Sequence, residues 1–193
     1  MKKISVLLVL AVLAWVWHPF FVSIHTLGLL GPGEAYAQAK LKIVVLGKVS
    51  KEQSARRFEP LFPELSRKFA EAFSKDDRFE VVSQEAVDKS LYDLGIAKDK
   101  IKPDDGVQLQ RIGKEAGADL VFVSYYYEMG GHAMPFHSNN VLILGAVSSG
   151  EMVKLDRGYS GILSEPELTS SDDVGFKELL KKAEPLIQGV QGS

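Results

Sequence analysis

Short unbroken apolar runs alternate along the chain with segments whose apolar residues recur every three or four positions. LKIVVL, Leu41 to Leu46, is β-branched at its centre and runs up to Gly47, which predicts a strand buried on both faces. Lys48 to Arg57 is polar and reads as a loop. Leu61, Leu65, Phe69 and Ala72 or Phe73 then recur at helical spacing, with Pro60 and Pro63 suited to a first turn. RFEVV, Arg78 to Val82, predicts a second strand. Ser83 caps a following helix that carries Val87, Leu91 and Leu94 on one face and stops at Gly95.

Ala97 to Lys102 is charged and expected to be exposed. Pro103-Asp104-Asp105 opens a helix through Leu109, Ile112 and Ala116 that ends at Gly117. LVFVSYYY is the strongest strand signal in the chain. After Gly130-Gly131 a loop with His132, Pro135 and His137 leads to VLILGAV. Ser149-Gly150 then turns the chain into MVKLDRGYSGI, an antiparallel hairpin. Beyond the polar stretch Thr169 to Asp173, residues Phe176, Leu179, Leu180, Ala183, Leu186 and Ile187 predict a terminal helix that Pro185 kinks or shortens. The order predicts an α/β (α+β) fold: a mixed β-sheet of about five strands with helices packed mainly on one face, ending in a β-hairpin and a C-terminal helix.

The first residues follow a different rule. Lys2 and Lys3 precede ISVLLVLAVLAWVW, which carries no charge and has the length of a signal-peptide core, and Ala35-Tyr36-Ala37 supplies the small-x-small pattern for cleavage before Gln38. Residues 1–37 are therefore expected to be a signal peptide and residues 38–193 a single α/β domain. The alternative is an uncleaved anchor, since apolar residues continue from Phe20 to Leu30; Pro19, Gly28, Gly31, Pro32 and Gly33 weigh against one unbroken helix there.

Composition narrows the function. The chain has no cysteine, so disulfides, thiolate metal sites, a cysteine nucleophile and a lipid-bearing cysteine are excluded. Removal of Lys2, Lys3 and Glu34 leaves 21 of the 23 basic and 24 of the 25 acidic side chains, a net charge of −3 that argues against nucleic acid as a partner.

Motifs for catalysis do not assemble. Gly158-Tyr159-Ser160-Gly161 has isoleucine where a nucleophile elbow needs its second glycine, and no phosphate-cradling glycine pattern surrounds Gly47-Lys48. The carboxylate pairs at Asp76, Asp104 and Asp172 fall where capping and solvation explain them. His132 and His137, five apart, are the candidate metal ligands of the mature chain, and no carboxylate lies closer than Glu128 to complete a site. No cofactor and no enzymatic activity are expected. Along Tyr125-Tyr126-Tyr127 the rings alternate between faces, so they either finish the core or, like tyrosines at interfaces, present Tyr125 and Tyr127 to a partner.

The opening strand KIVVL, the segment LSRKFAEAFSKDDRFEVVSQEAVDKSL, the IGKEAGADLVFVSYY stretch and the VLILGAVSSGEMVKL hairpin together resemble the α/β domain shared by the amino-terminal domain of the translocation protein TolB and the curli-secretion protein CsgG, with related envelope-assembly lipoproteins. The likeness runs from about Leu41 to Ile187. It implies a periplasmic binding domain without catalytic residues. The chain departs from those proteins in having no lipidation cysteine, no propeller and no pore-forming hairpins, which leaves a stand-alone adaptor with an envelope protein as partner and no stable membrane insertion after cleavage. The expected contact is the segment Gly130 to Asn140, with Met134 and Phe136 its apolar points beside Tyr125 and Tyr127. The alternative is a small-ligand or metal-binding periplasmic protein using His132 and His137.

Overall fold

The computed structural model of the protein describes residues 39–50, 58–131 and 134–192, with Ser50, Gly131 and Met134 described in their backbone alone. The expected signal segment, including Ala35, Ala37 and Gln38, and the candidate ligand His132 lie outside the described residues. No described helix is long and apolar enough to cross a membrane.

Strand β1 (Leu41–Ser50) leads to helix α1 (Phe62–Ser74), strand β2 (Phe79–Val81), helix α2 (Gln84–Asp93), a 3₁₀ turn (Lys98–Lys100) and helix α3 (Gly106–Glu115). Strands β3 (Leu120–Gly131), β4 (Met134–Ala146) and β5 (Met152–Ser160) follow, then helices α4 (Glu165–Lys182) and α5 (Glu184–Gln191). One five-stranded sheet runs β2-β1-β3-β4-β5. β1 pairs parallel with both β2 and β3, while β3, β4 and β5 are antiparallel neighbours. The sheet is mixed because the β1-α1-β2 and β2-α2-α3-β3 connections are long enough to cross over, whereas β4 and β5 are joined by a tight turn.

The α/β class and the five-stranded mixed sheet agree with the pattern of the sequence. Helices α1, α4 and α5 form the larger cover on one face, where Phe69, Phe73, Phe176 and Ile187 meet Ile43, Phe122 and Leu144. The other face is covered too: Val87 and Leu91 of α2 and Leu109 and Ile112 of α3 pack on Val44, Val121 and Ile143. Unbroken apolar strands demand this second layer, because successive side chains point to opposite faces and each must leave water. At the centre of the first layer Phe73 meets Phe79, Phe122 and Phe176 edge-on, with ring centroids 5.3, 5.3 and 4.8 Å away. Such pairs add stability beyond the area they bury.

Three stretches differ from the sequence expectation. β1 continues through Lys48 to Ser50, where a loop is expected from Lys48 onward. Most of the expected Gly130 to Asn140 loop is strand: β3 and β4 form a long hairpin in register from Leu120↔Ala146 to Gly131↔Met134. Thr169 to Asp173, expected to precede the terminal helix, lies inside α4, which starts at Glu165 behind a reciprocal Ser164–Glu167 cap. Pro185 falls in the first turn of α5, so the helix breaks at Ala183 as its ring requires. The predicted Ser149-Gly150 hairpin is present between β4 and β5, closed by Gly150 N–H donating to the Ala146 carbonyl at 2.9 Å. At the outer margin of β5, the Lys182 ammonium donates to the Lys154 backbone carbonyl at 2.9 Å.

Candidate functional site

Three places on the domain hold the side chains from which a function could be built. The first is the end of the β3–β4 hairpin. Among the described residues β1 pairs with β3 no further than Tyr126 and β5 with β4 no further than His137, and beyond those positions β3 and β4 continue as a two-stranded ladder. Gly130, at φ +137°, sits at an irregularity of the ladder, and a Cβ there would meet the Phe136 Cα at 2.7 Å. Only glycine allows the two chains to approach so closely. On this two-stranded arm Met129 is 53 % and Phe136 47 % exposed, and Ile162 beside it is exposed as well. The Gly161 N–H donates to the Phe136 carbonyl at 2.7 Å, tying the end of β5 to the arm. Pro135 and His137 are exposed, and His137 stands opposite Met129.

The tyrosine row does not lie on this surface as a set. Tyr125 is 1 % exposed and belongs to the core of the second face. Its hydroxyl donates to Asp104 at 2.8 Å and accepts from the Lys154 ammonium at 3.0 Å. Tyr127, half-buried, stacks on Tyr125 with centroids 5.8 Å apart. Tyr126 points to the opposite face, packs edge-on to Phe58 and donates to Glu128; burial holds its phenol above the usual range. Of the four expected contact residues, the structure therefore places Phe136 outside, Tyr127 partly so and Tyr125 inside, while the side chain of Met134 is not described. The sequence reading did not single out Met129 or Ile162.

The second place is a buried polar cluster that sequence reasoning missed. The Lys48 ammonium donates to Ser124 Oγ at 2.7 Å, Asn140 Oδ1 at 2.9 Å and Asp172 Oδ1 at 2.8 Å, using all three of its protons. The Asn140 amide donates to Ser171 Oγ and to the same Asp172 oxygen, each at 2.8 Å, and Ser171 shares a 2.6 Å hydrogen bond with Tyr159. Burial pulls the Lys48 ammonium below the usual lysine range, and the facing Asp172 carboxylate opposes that shift. Both side chains are closed to solvent, at 0 % and 4 % exposure. A satisfied, enclosed ammonium makes no nucleophile and no ligand contact; the cluster ties β1, β3 and β4 to α4.

The third place is a cleft of about 730 Å³ where β1 runs past the end of β2. Its walls are the first turns of α1 and α2, which leave the sheet on opposite faces, and its floor is apolar: Val45, Leu46, Val49, Phe62, Val87 and Leu91. Crevices at the carboxyl ends of parallel strands, where successive crossovers diverge, are the usual ligand position of α/β sheets. Among the described residues no group of three or more His, Asp or Glu side chains is placed to hold a metal ion.

No family model and no curated protein matches the sequence. Among solved structures the chain is similar to the LpoB C-terminal domain from Salmonella enterica, with 15% identity, a TM-score of 0.44, and 64% of this chain and 84% of that one covered. It is similar to the LpoB C-terminal domain from Escherichia coli at 17% identity and a TM-score of 0.42, over 68% of this chain and 90% of that one. Lipoprotein GNA1162 from Neisseria meningitidis has 12% identity and a TM-score of 0.35, over 74% of this chain and 99% of that one. The structures named here are LpoB domains and a lipoprotein rather than TolB or CsgG domains, and at such scores they state what this chain resembles and nothing of what it does.

Proposed function

We propose that the protein is an exported, non-catalytic binding domain that acts as an adaptor in cell-envelope assembly or transport, and that it holds a protein partner through the β3–β4 arm. The observation that carries this reading is the pair of large apolar side chains, Met129 and Phe136, exposed on a two-stranded projection with Ile162 beside it. By the strand register Met129 shares a face with His137 and Phe136 turns to the other, so each face of the arm presents a large apolar side chain to solvent, as contact sites do. Export is supported by the sequence pattern of residues 1–37, with periplasmic residence as its consequence.

The test is a tagged pull-down from cross-linked cell envelopes, using the unaltered chain and a Met129→Asp/Phe136→Asp variant. Mass spectrometry of the recovered protein reads its amino terminus in the same experiment. A start at Gln38 and a reproducible partner lost by the variant, with an unchanged circular dichroism spectrum, is the expected result. An intact Met1 in the membrane fraction replaces the cleaved signal with an uncleaved anchor, and equal capture by the variant, or capture of nothing by either chain, removes the arm.

A further inference from the structure

We infer that Met129 and His137 hold a soft univalent metal ion, Cu(I) or Ag(I), on one face of the β3–β4 arm. Spacing along the sequence suggests His132 as the partner of His137; the strand register gives it Met129 instead, directly opposite across the antiparallel ladder. Opposite residues of such a pair share a face, with their Cβ atoms about 5 Å apart. From that separation a thioether on one strand and an imidazole on the other can close on a single ion. Both side chains are open to solvent: Met129 is 53 % exposed and His137 is exposed as well. The backbone beneath them is held in register. The Gly161 N–H donates to the carbonyl of Phe136, next to His137, at 2.7 Å, and Ser160 stands opposite His137 on β5.

The donors select the metal. The chain has no cysteine, so methionine is its sulfur donor. Thioethers favour Cu(I), and with it the heavier congener Ag(I), whereas Mg²⁺, Ca²⁺ and Mn²⁺ go to oxygen ligands; imidazole serves copper as well. Zinc sites draw three or four ligands from the protein, and this pair supplies two. Glu128, the carboxylate next to Met129 in sequence, turns to the other face, where it accepts from Tyr126. A univalent ion that is satisfied by two soft donors is therefore the ligand that the pair fits. This inference does not depend on a protein partner at the arm.

The probe is silver nitrate, titrated into the purified full chain in chloride-free buffer and followed by calorimetry and by the methyl and imidazole NMR signals. Ag(I) should bind saturably and move the Met129 ε-methyl and His137 ring signals together. Met129→Leu and His137→Ala should each weaken that binding about tenfold or more, and equimolar Zn²⁺ should not displace the ion. Phe136→Asp alters the arm but neither ligand, and should leave Ag(I) binding unchanged. His137→Ala keeps Met129 and Phe136, and should leave partner capture unchanged in metal-free buffer, so the two readings of the arm fail separately. No saturable binding, shifts confined to Met134 or Met152, displacement by zinc, or unchanged affinity in either folded variant overturns the proposal. If a variant does not fold, the signals of the unaltered chain decide by themselves.

Discussion

Lys48 and Asp172, 124 positions apart in sequence, meet at 2.8 Å with both side chains shut away from water. A charge so enclosed is tolerable only while its counter-charge stays in place. Removing one member leaves the other buried and alone, which costs about 3–5 kcal/mol in comparable pairs. Lys48→Met and Asp172→Leu should each destabilise the chain by that order, as read from urea unfolding midpoints. The double variant should recover a large part of the loss, because an apolar pair needs no compensation. Two single losses that simply add would show that the pair acts as two independent residues.

Gly47, at φ +70°, sits at the irregularity in the pairing of β1 with β3. A Cβ there would stand 2.1 Å from Ser66 Oγ and 2.8 Å from the Ser66 Cα. Left-handed strain alone costs about 1–2 kcal/mol for other residues, and the collision adds to it. Gly47→Ala should therefore lower stability by more than about 2 kcal/mol. Trimming Ser66 to glycine in addition should not restore it, since the Cα remains in the way; thermal unfolding of both variants checks this.

Phe73→Ala removes the ring shared by three edge-on contacts in a site that is 0 % exposed. The expected cost is about 3–5 kcal/mol. Phe136→Ala, on the arm, should change stability by no more than about 0.5 kcal/mol. Equal losses at the two positions would mean that the arm is packed rather than presented.

The Asp76 carboxylate accepts from the Arg78 guanidinium at 2.7 to 3.2 Å, and this hydrogen bonding holds it below its ordinary value of 3.8. Its folded value is depressed, so the stabilisation is present above pH 4 and is lost as acidity rises through the folded value. Acid unfolding followed between about pH 4 and pH 2 should be shallower in Asp76→Asn, which has no proton to take up there.

What could be read from sequence follows from which residues obey the usual inside-outside rule. LVFVSYYY and the Ser149-Gly150 hairpin were legible because apolar runs and turn residues mark them directly. The first half of α4 was not. Thr169 to Asp173 reads as solvated, yet Ser171 and Asp172 are buried, at 4 % and 3 % exposure, because Lys48 and Asn140 lie beneath them. Lys48 misled in the same way, since a lysine after an apolar strand ordinarily marks its exit to water. The available signal was Val49, which resumes the apolar run one residue later. β4 was cut short because Ser138 and Asn140 interrupt the apolar pattern of the strand, although both are fully buried. A polar interior defeats periodicity on both sides of the contact at once. The cleft beside β1 was illegible for another reason, since it depends on how far β2 falls short of its neighbour.

The Lys182 ammonium on the Lys154 carbonyl bears on crowding. A nine-residue strand at the rim of a sheet is a template on which other copies can stack into fibrils. Here a positive charge from α4 occupies one of its rungs, and a strand approaching edge to edge must first displace it.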